Sequence, residues 1–382
     1  MSHIHIQRIE DATDLEATLG AAGRIALDCE AAGFHRYSDR LCLLQLSLDE
    51  RTYVIDPLAF DPGELLKGPL EDPELTVVMH GADFDLRLLK RDLGIRLAGL
   101  FDTQVAAALL GEEALGLAAL LESRLGVTLS KKYQRADWAQ RPLKTEMLEY
   151  AADDTRHLLG LADELMRELV EAGRVSWAEE EWLALEAVAD QNSDASHDED
   201  PVVRVKGARD LTPREVSALR RALAWRDRIA RERDRAPFRV VGDRPLVEAV
   251  VRRPGRLDDL KAIKGFSPTL ARDEGPSLLE ALRAVRELPE AELEGYPRHA
   301  RRGPARPPPE VEQLVDRLKA IRNRRAEEIG LPRGTLVSNA VMLAIAHDAP
   351  QDLAALVAID GMRRWKADVV GAEFLEAVRR QG

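Results

Sequence analysis

Apolar and polar positions alternate through most of the first sixty residues. Ile4 to Ile9 alternates as a short strand, and Asp11 to Leu19 changes to helical spacing. Arg24-Ile25-Ala26-Leu27-Asp28-Cys29-Glu30-Ala31 returns to a period of two. Ile25, Leu27, Cys29 and Ala31 then make one apolar face, and Asp28 and Glu30 project from the other. Leu41–Leu48 and Thr52–Asp56 read as two more strands joined by a tight polar turn at Asp49-Glu50, which gives an antiparallel meander. Thr76-Val77-Val78-Met79-His80 is a short apolar run suited to a buried parallel strand. Helical spacing then dominates, at about 82–93, 102–110, 115–124 and 146–171. The pattern predicts an α/β unit, a mixed sheet flanked by helices.

The second half reads differently. From Trp177 an acidic helical stretch passes into Asp190-Gln191-Asn192-Ser193-Asp194 and on to Asp200, read as a solvated tether. Thr212-Pro213-Arg214-Glu215 marks a helix start, with proline at the first position and glutamate placed for a capping box. A repeat follows at an offset of about 96 residues, too long for a solenoid and read as a domain duplication. Trp225-Arg226-Asp227-Arg228-Ile229-Ala230 returns as Ile321-Arg322-Asn323-Arg324-Arg325-Ala326, and Ile263-Lys264-Gly265 returns as Ile359-Asp360-Gly361. Each copy predicts a compact bundle of short helices. Between them Arg301-Arg302-Gly303-Pro304-Ala305-Arg306-Pro307-Pro308-Pro309 is a stiff basic spacer.

Composition adds constraints to this plan. A 382-residue chain with 45% hydrophobic and 32% charged residues is globular in type, and its length suits two or three domains. No apolar run reaches membrane-spanning length and the first residues show no signal-peptide pattern. Cys29 and Cys42 both fall in apolar strands, so no disulfide framework is expected and a reducing, cytoplasmic setting is. The net charge of −12 argues against a nucleic-acid partner until its distribution is considered. Residues 1–175 carry about 19 basic and 31 acidic side chains, 176–202 about nine acids with no Lys or Arg, and 203–287 about 21 basic against 13 acidic. An acidic front unit able to hold cations is thus joined to a basic module able to hold a polyanion.

The candidate chemistry lies in carboxylates on apolar faces. Two acids side by side on β-strand positions raise one another's pKa, and a hard divalent cation relieves that cost. In Ala82-Asp83-Phe84-Asp85-Leu86-Arg87-Leu88-Leu89-Lys90, helical spacing aligns Asp85 with Leu88 and Leu89, and Asp83 with Arg87 and Lys90. Further on, Met147, Tyr150, Ala151, Asp154, Leu158, Leu161 and Leu165 form one stripe, while Asp153 joins Glu146, Glu149 and His157 on a polar face. An acid inside an apolar stripe needs a partner. That partner is an arginine, a backbone amide or, for Asp28, Glu30, Asp85 and Asp154 together, a shared metal centre.

In order, Asp28-x-Glu30, His80-Gly81-Ala82-Asp83-Phe84-Asp85 and Tyr150-Ala151-Ala152-Asp153-Asp154-Thr155 resemble the three exonuclease motifs of the DEDD superfamily, in its tyrosine subgroup. Phe101-Asp102-Thr103-Gln104, Lys131-Lys132-Tyr133-Gln134-Arg135-Ala136-Asp137-Trp138 and Arg141-Pro142-Leu143 resemble ribonuclease D, and the resemblance spans roughly residues 4–170. The two helical copies resemble HRDC domains, the second more weakly. The resemblance implies a ribonuclease-H-like exonuclease domain at 1–175, an acidic helix and linker at 176–205, HRDC-type bundles at 206–290 and 310–382, and a spacer at 291–309. It implies 3′→5′ hydrolysis of RNA with two divalent ions, Mg²⁺ or Mn²⁺, releasing nucleoside 5′-monophosphates, with transfer-RNA precursors as the substrate class. By position, Asp28 would bridge both ions, Glu30 and Asp154 would complete one site, Asp85 would hold the second ion, and Tyr150 would orient the attacking water.

Other residues carry two readings each. His80 is a substrate contact or a satisfied structural histidine. Lys131, Lys132 and Arg135 contact phosphates or form an ordinary solvated loop. Arg226, Arg228, Arg231 and Arg239 make a basic surface on the first copy, or pair with Asp227, Glu232 and Asp234. The second copy, nearly neutral, reads as a packing or protein-contact module, and no protein partner is inferred. A DNA exonuclease of the same superfamily and a non-catalytic RNA-binding protein on a dead nuclease fold remain as alternatives. No glycine-rich phosphate loop, zinc spacing or nucleophile elbow occurs.

Overall fold

The structure is a computed structural model, and it describes residues 3–48, 51–191, 200–297 and 308–380. Strands β1 (His3–Ile6), β2 (Arg24–Ala31), β3 (Leu41–Leu48), β4 (Arg51–Ile55), β5 (Thr76–Met79) and β6 (Leu100–Asp102) form one sheet in the order β1-β4-β3-β2-β5-β6. β2 runs antiparallel to β3 and parallel to β5, so the sheet is mixed, as the pattern predicts. Ile25, Leu27 and Cys29 join the main core, whereas Asp28 stands opposite Gln45 and Glu30 opposite Leu43 on the other face. A bulge between Glu30 and Ala31 ends the regular pairing directly after the second acid. With three residues, β6 is too short to show alternation, and its end reads from sequence as the start of a helix. The expected turn at Asp49-Glu50 lies outside the described residues.

Around the sheet lie α1 (Thr13–Leu19), α2 (Gly63–Leu70), α3 (Asp83–Leu93), α4 (Thr103–Leu109), α5 (Leu117–Leu125), α6 (Thr145–Arg156), α7 (Leu158–Glu171) and α8 (Val175–Gln191). The single helix expected over 146–171 is two, separated at His157 (φ −108°, ψ −1°). The two halves serve different neighbours. α6 crosses β2, β3 and β4, where the buried Thr155 hydroxyl meets Ser47 Oγ at 2.7 Å; α7 packs on α4, α5 and β5. One non-helical residue barely disturbs a 3.6-residue stripe, so the break is invisible in the spacing.

The segment between α5 and α6 is pinned to the sheet by Arg141. Its Nε and Nη2 donate to the two oxygens of the fully buried Asp56, each at 2.7 Å, and Nη2 also donates to the Cys42 carbonyl at 2.8 Å. Nη1 donates to the Trp138 carbonyl at 2.6 Å. This fork holds the loop that carries Tyr133, Gln134 and Trp138 against the face bearing the acids.

The first helical bundle comprises α9 (Pro213–Glu232), α10 (Pro237–Val240), α11 (Asp243–Arg252), α12 (Leu257–Lys261), α13 (Pro268–Asp273) and α14 (Gly275–Glu287), around its own core of Leu219, Leu246, Leu260 and Leu278. Thr212 and Glu215 form the expected capping box. The second comprises α15 (Pro309–Glu328), α16 (Arg333–Leu336), α17 (Asn339–Asp348), α18 (Leu353–Val357) and α19 (Arg364–Arg379). The duplication extends to side chains. Arg226 Nη1 donates to the Val241 carbonyl and Arg322 Nη1 to the Val337 carbonyl, both at 3.1 Å. Gly265 (φ +115°) and Gly361 (φ +83°) repeat as well; an added Cβ would sit 2.4 Å from Pro245 in the first and 2.7 Å from Val341 in the second.

The bundles attach differently. In the first, the Tyr37 hydroxyl donates to Asp227 at 2.9 Å and the Ala236 amide to the His35 carbonyl at 3.0 Å. The second shares a continuous apolar core with the sheet unit through α8, where Trp177 stacks on Trp365 with centroids 4.6 Å apart. Glu181 accepts from Trp365 Nε1 at 2.9 Å and pairs with Lys366 at 2.7 Å. The α8 segment is therefore a packed wall, and its helix continues through Asp190-Gln191, where the sequence pattern places the start of the tether; residues 192–199 of that stretch lie outside the described residues. Residues 298–307, which hold most of the basic spacer, also lie outside.

Candidate active site

Three elements bring the acids together. β2 supplies Asp28 and Glu30 by its two-residue period, α6 supplies Asp154 one turn after Tyr150, and the first turn of α3 supplies Asp85. One carboxylate oxygen each from Asp28, Glu30 and Asp154 lies within 4.8 Å of the others. Asp85 falls outside that trio but is buried near Asp28 and feels its charge. The trio lines a cavity of about 260 Å³ together with His80, Gln134 and Tyr150.

Among the described residues, no Lys or Arg forms an ion pair with any of the four acids. Their outward neighbours are paired: Asp83 with Arg87 at 2.6 Å, and Asp153 with Arg156. Burial pushes Asp28 up to about 6, the Cys29 amide opposing the shift, and pushes Asp154 up to about 8, with help from Asp28 and Asp153. Glu30 is raised well above the carboxylate range by burial, then by Asp28, Asp154 and Asp85; Asp85 is raised by burial, then by Asp28 and Asp102. Four clustered carboxylates without a protein cation are the donor set that hard divalent ions prefer. The residues present therefore fit a metal centre.

This electrostatic arrangement makes stability depend on pH. A carboxylate whose pKa is raised by folding stabilises the fold fully below about pH 4, and that contribution is lost as pH rises through the folded value. For Asp28 and Asp154 the loss runs up to about 6 and about 8. Metal-free protein is thus expected to lose up to about 1.4 kcal/mol per pH unit for each proton released. Divalent cation should restore the loss most strongly at the alkaline end, because its binding displaces the same protons. Melting curves at pH 5 and pH 8, in chelator and in Mg²⁺, test this; a chelator Tm that does not fall with pH, or a fall that D154N leaves unaltered, would contradict it.

Tyr150 faces the same cavity. Burial, then the charges of Asp154, Glu30 and Asp28, push its phenol above the ordinary tyrosine value, so it stays protonated. Tyr133 meets its ring edge-on at 5.9 Å and Trp138 lies tilted at 6.1 Å, fixing its position. His80 lines the cavity while its Nδ1 meets Thr103 Oγ1 at 2.9 Å, and burial lowers its pKa, which keeps the ring neutral. Local spacing missed four contributors. Gln134 lines the cavity, Tyr133 and Trp138 wall in Tyr150, and fully buried Asp102 accepts from the Gly81 and Ala82 amides, at 3.1 and 2.7 Å, while capping α4. The signal present was the aromatic pair inside 131–138, which no strand or helix period explains.

The basic residues divide by location. Lys131, Lys132 and Arg135 are exposed on the loop beside the cavity and, among the described residues, have no carboxylate partner. On the first bundle, Arg226 pairs with Asp243 at 2.6 Å, Arg228 with Glu232 and Glu274 at 2.9 Å each, and Arg231 with Asp227 at 3.1 Å. Arg239 donates to the Phe34 carbonyl at 2.7 Å. These four arginines thus have partners within the protein.

Comparison with known proteins places this geometry. A family model for a 3′-5′ exonuclease matches residues 4–170, and the HRDC domain model matches 216–282 and 311–378. Ribonuclease D of Pseudomonas paraeruginosa is 31% identical, over 93% of this chain and 92% of the relative. Ribonuclease D of Xanthomonas oryzae pv. oryzae is 34% identical over 82% and 84%. The crystal structure of Escherichia coli RNase D aligns over 100% of this chain and 99% of its own, with a TM-score of 0.71 and 26% identity. The catalytic core of RRP6 from Trypanosoma brucei aligns over 75% and 80%, with a TM-score of 0.64 and 27% identity. With its acid cluster on a mixed six-stranded sheet and two helical bundles behind it, this chain belongs to the ribonuclease D family and is a 3′-5′ exoribonuclease.

Proposed function

We propose that this enzyme matures transfer-RNA precursors by removing single-stranded 3′ extensions one nucleoside 5′-monophosphate at a time, in the cytoplasm. The observation that carries the chemistry is the set of four buried or half-buried acids that pair with no Lys or Arg among the described residues, beside a loop whose cations have no carboxylate partner among them either. Two divalent ions, Mg²⁺ or Mn²⁺, would be held by Asp28 with Glu30 and Asp154, and by Asp28 with Asp85. When bound, such a pair stabilises the attacking and leaving oxygens of an in-line displacement. Tyr150, held by its aromatic neighbours and still protonated, orients the attacking water rather than deprotonating it. Lys131, Lys132 and Arg135 meet the phosphates that approach the cavity.

The division at 1–175, 176–205, 206–290, 291–309 and 310–382 serves this reading: a catalytic unit, a basic bundle at its loop edge, and a second bundle bracing α8. Two free, buried cysteines suit a reducing compartment, and among the described residues no helix is long and apolar enough to cross a membrane. The E. coli relative is described as an exoribonuclease involved in structured RNA processing, which favours a substrate with a folded body and a loose 3′ end.

The test uses a 3′-extended transfer RNA, an unstructured RNA of equal length and a matched single-stranded DNA, each labelled at the 5′ end. Metal-dependent laddering of the extension that slows at the acceptor stem is expected, with DNA spared. Degradation of the unstructured RNA with the transfer-RNA extension left intact would remove the maturation role. Equal attack on DNA would remove the RNA preference.

A further inference from the structure

We propose that the enzyme carries a base-stacking platform for single-stranded RNA, built jointly by the catalytic unit and the first helical bundle, at which unpaired bases upstream of the 3′ end are held. The inference deepens the exoribonuclease reading and rests on it. Its centre is two phenyl rings from different units, Phe34 and Phe238, with centroids 5.6 Å apart and planes at 54°. Phe34 is 40% exposed and Phe238 53%, values at odds with rings placed there to fill a core.

Two cations lie over Phe34. The Arg239 guanidinium lies 4.8 Å and that of Arg135 5.7 Å from the Phe34 centroid. His35 stands edge-on to Phe34 at 5.3 Å, and its Nε2 meets the Arg135 carbonyl at 2.9 Å. Among the described residues neither arginine has a carboxylate partner, unlike Arg226, Arg228 and Arg231 on the same bundle. Partly exposed aromatic rings, one of them carrying guanidinium groups that have no carboxylate partner among the described residues, suit alternating bases and phosphates, without sequence preference.

The platform adjoins the chemistry. Gln134 lines the acid cavity and Arg135, the next residue, lies over Phe34, so one loop spans from cavity to platform. The two ring-bearing segments are tied by the Ala236 amide on the His35 carbonyl and by Arg239 Nε on the Phe34 carbonyl, at 3.0 and 2.7 Å. The platform is therefore complete only when the first bundle is docked, which gives that bundle a role in substrate length selection.

The test compares kcat/KM on a twelve-nucleotide oligoadenylate and on the dinucleotide pApA, for the full chain. In the F34A/F238A protein the ratio of the two is expected to fall at least about tenfold, the scale of one lost base stack. F238L, which keeps an apolar body without a π face, should lower the ratio, and F238W should restore it. R135Q should flatten the salt dependence of oligoadenylate binding, which the phenylalanine variants leave unchanged. A ratio within twofold of wild type for F34A/F238A, or a wild-type ratio for F238L, would overturn the platform. Wild-type protein that degrades neither substrate would overturn the exoribonuclease reading beneath it, and the platform with it.

Discussion

Replacing Asp28 with asparagine is expected to slow hydrolysis at least about a thousandfold, the several kcal/mol that such ions contribute, while the metal-free protein becomes no less stable. The two effects have one origin. Asp28 raises Glu30, Asp85 and Asp154 by its charge, and its own carboxylate is raised by burial. Asparagine keeps the shape but removes the charge around which the other three acids are arranged. Without cation, that removal relieves repulsion; with cation, it removes a carboxylate that would serve both candidate sites. Single-turnover cleavage of 5′-labelled RNA, paired with melting in chelator at pH 8, reads both signs. Undiminished turnover would remove the metal centre, and a lowered chelator Tm would show that Asp28 acts as a structural residue.

The largest stability loss is expected at Arg141. Asp56 is fully buried, and Arg141 is its ion-pair partner through two bonds of 2.7 Å. Removing one member of such a pair strands a buried charge, at a cost of about 3–5 kcal/mol. In R141A the Asp56 carboxylate keeps the Leu58 amide at 3.0 Å, and the Cys42 and Trp138 carbonyls lose their guanidinium donor. R141K should recover only part of the loss, because an ammonium cannot make the fork. R141A/D56A, with no stranded charge, should be more stable than R141A alone. Urea unfolding of the three variants measures this, and an R141A penalty below about 1 kcal/mol would show that Asp56 has water access. Whatever folded R141A remains should also turn over more slowly, since the anchor positions the loop that walls in Tyr150.

Local spacing carried the acid centre well. A period of two separates Asp28 and Glu30 from Ile25, Leu27 and Cys29, and the structure keeps that division. Helical spacing distinguishes Asp85 from Asp83 and Asp154 from Asp153. In both pairs the outward acid carries the arginine and the inward one carries none among the described residues. These distinctions are short-range, set by which face of one element a residue occupies.

What escaped the sequence is long-range. Asp102 ties two segments by side-chain acceptance from Gly81 and Ala82, which no periodicity encodes. The break at His157 follows from α6 and α7 covering different partners, while the stripe runs on across it. Counting charges along 203–287 suggests a polyanion surface, and the count does not reveal which of those charges also have partners within the fold, such as Arg228 on Glu274 and Arg231 on Tyr37 and Asp227. Arg226 and Arg322 are an example: the duplicated arginine makes the same backbone bond in both copies, so packing accounts for its place in the motif. Among the described residues, Lys131, Lys132 and Arg135 on the cavity loop and Arg239 at the junction of the two units form no ion pair with a carboxylate.

The most direct test of the central claim is Mn²⁺ titration of the metal-free full chain by calorimetry, with the same protein then assayed on 5′-labelled RNA. Two saturable ions in wild type, one in D85N and none of comparable affinity in D28N, with cleavage lost in step, is the result expected. Equal stoichiometry in all three proteins, or cleavage that persists in chelator, would mean that the four acids are not the cation site that drives hydrolysis.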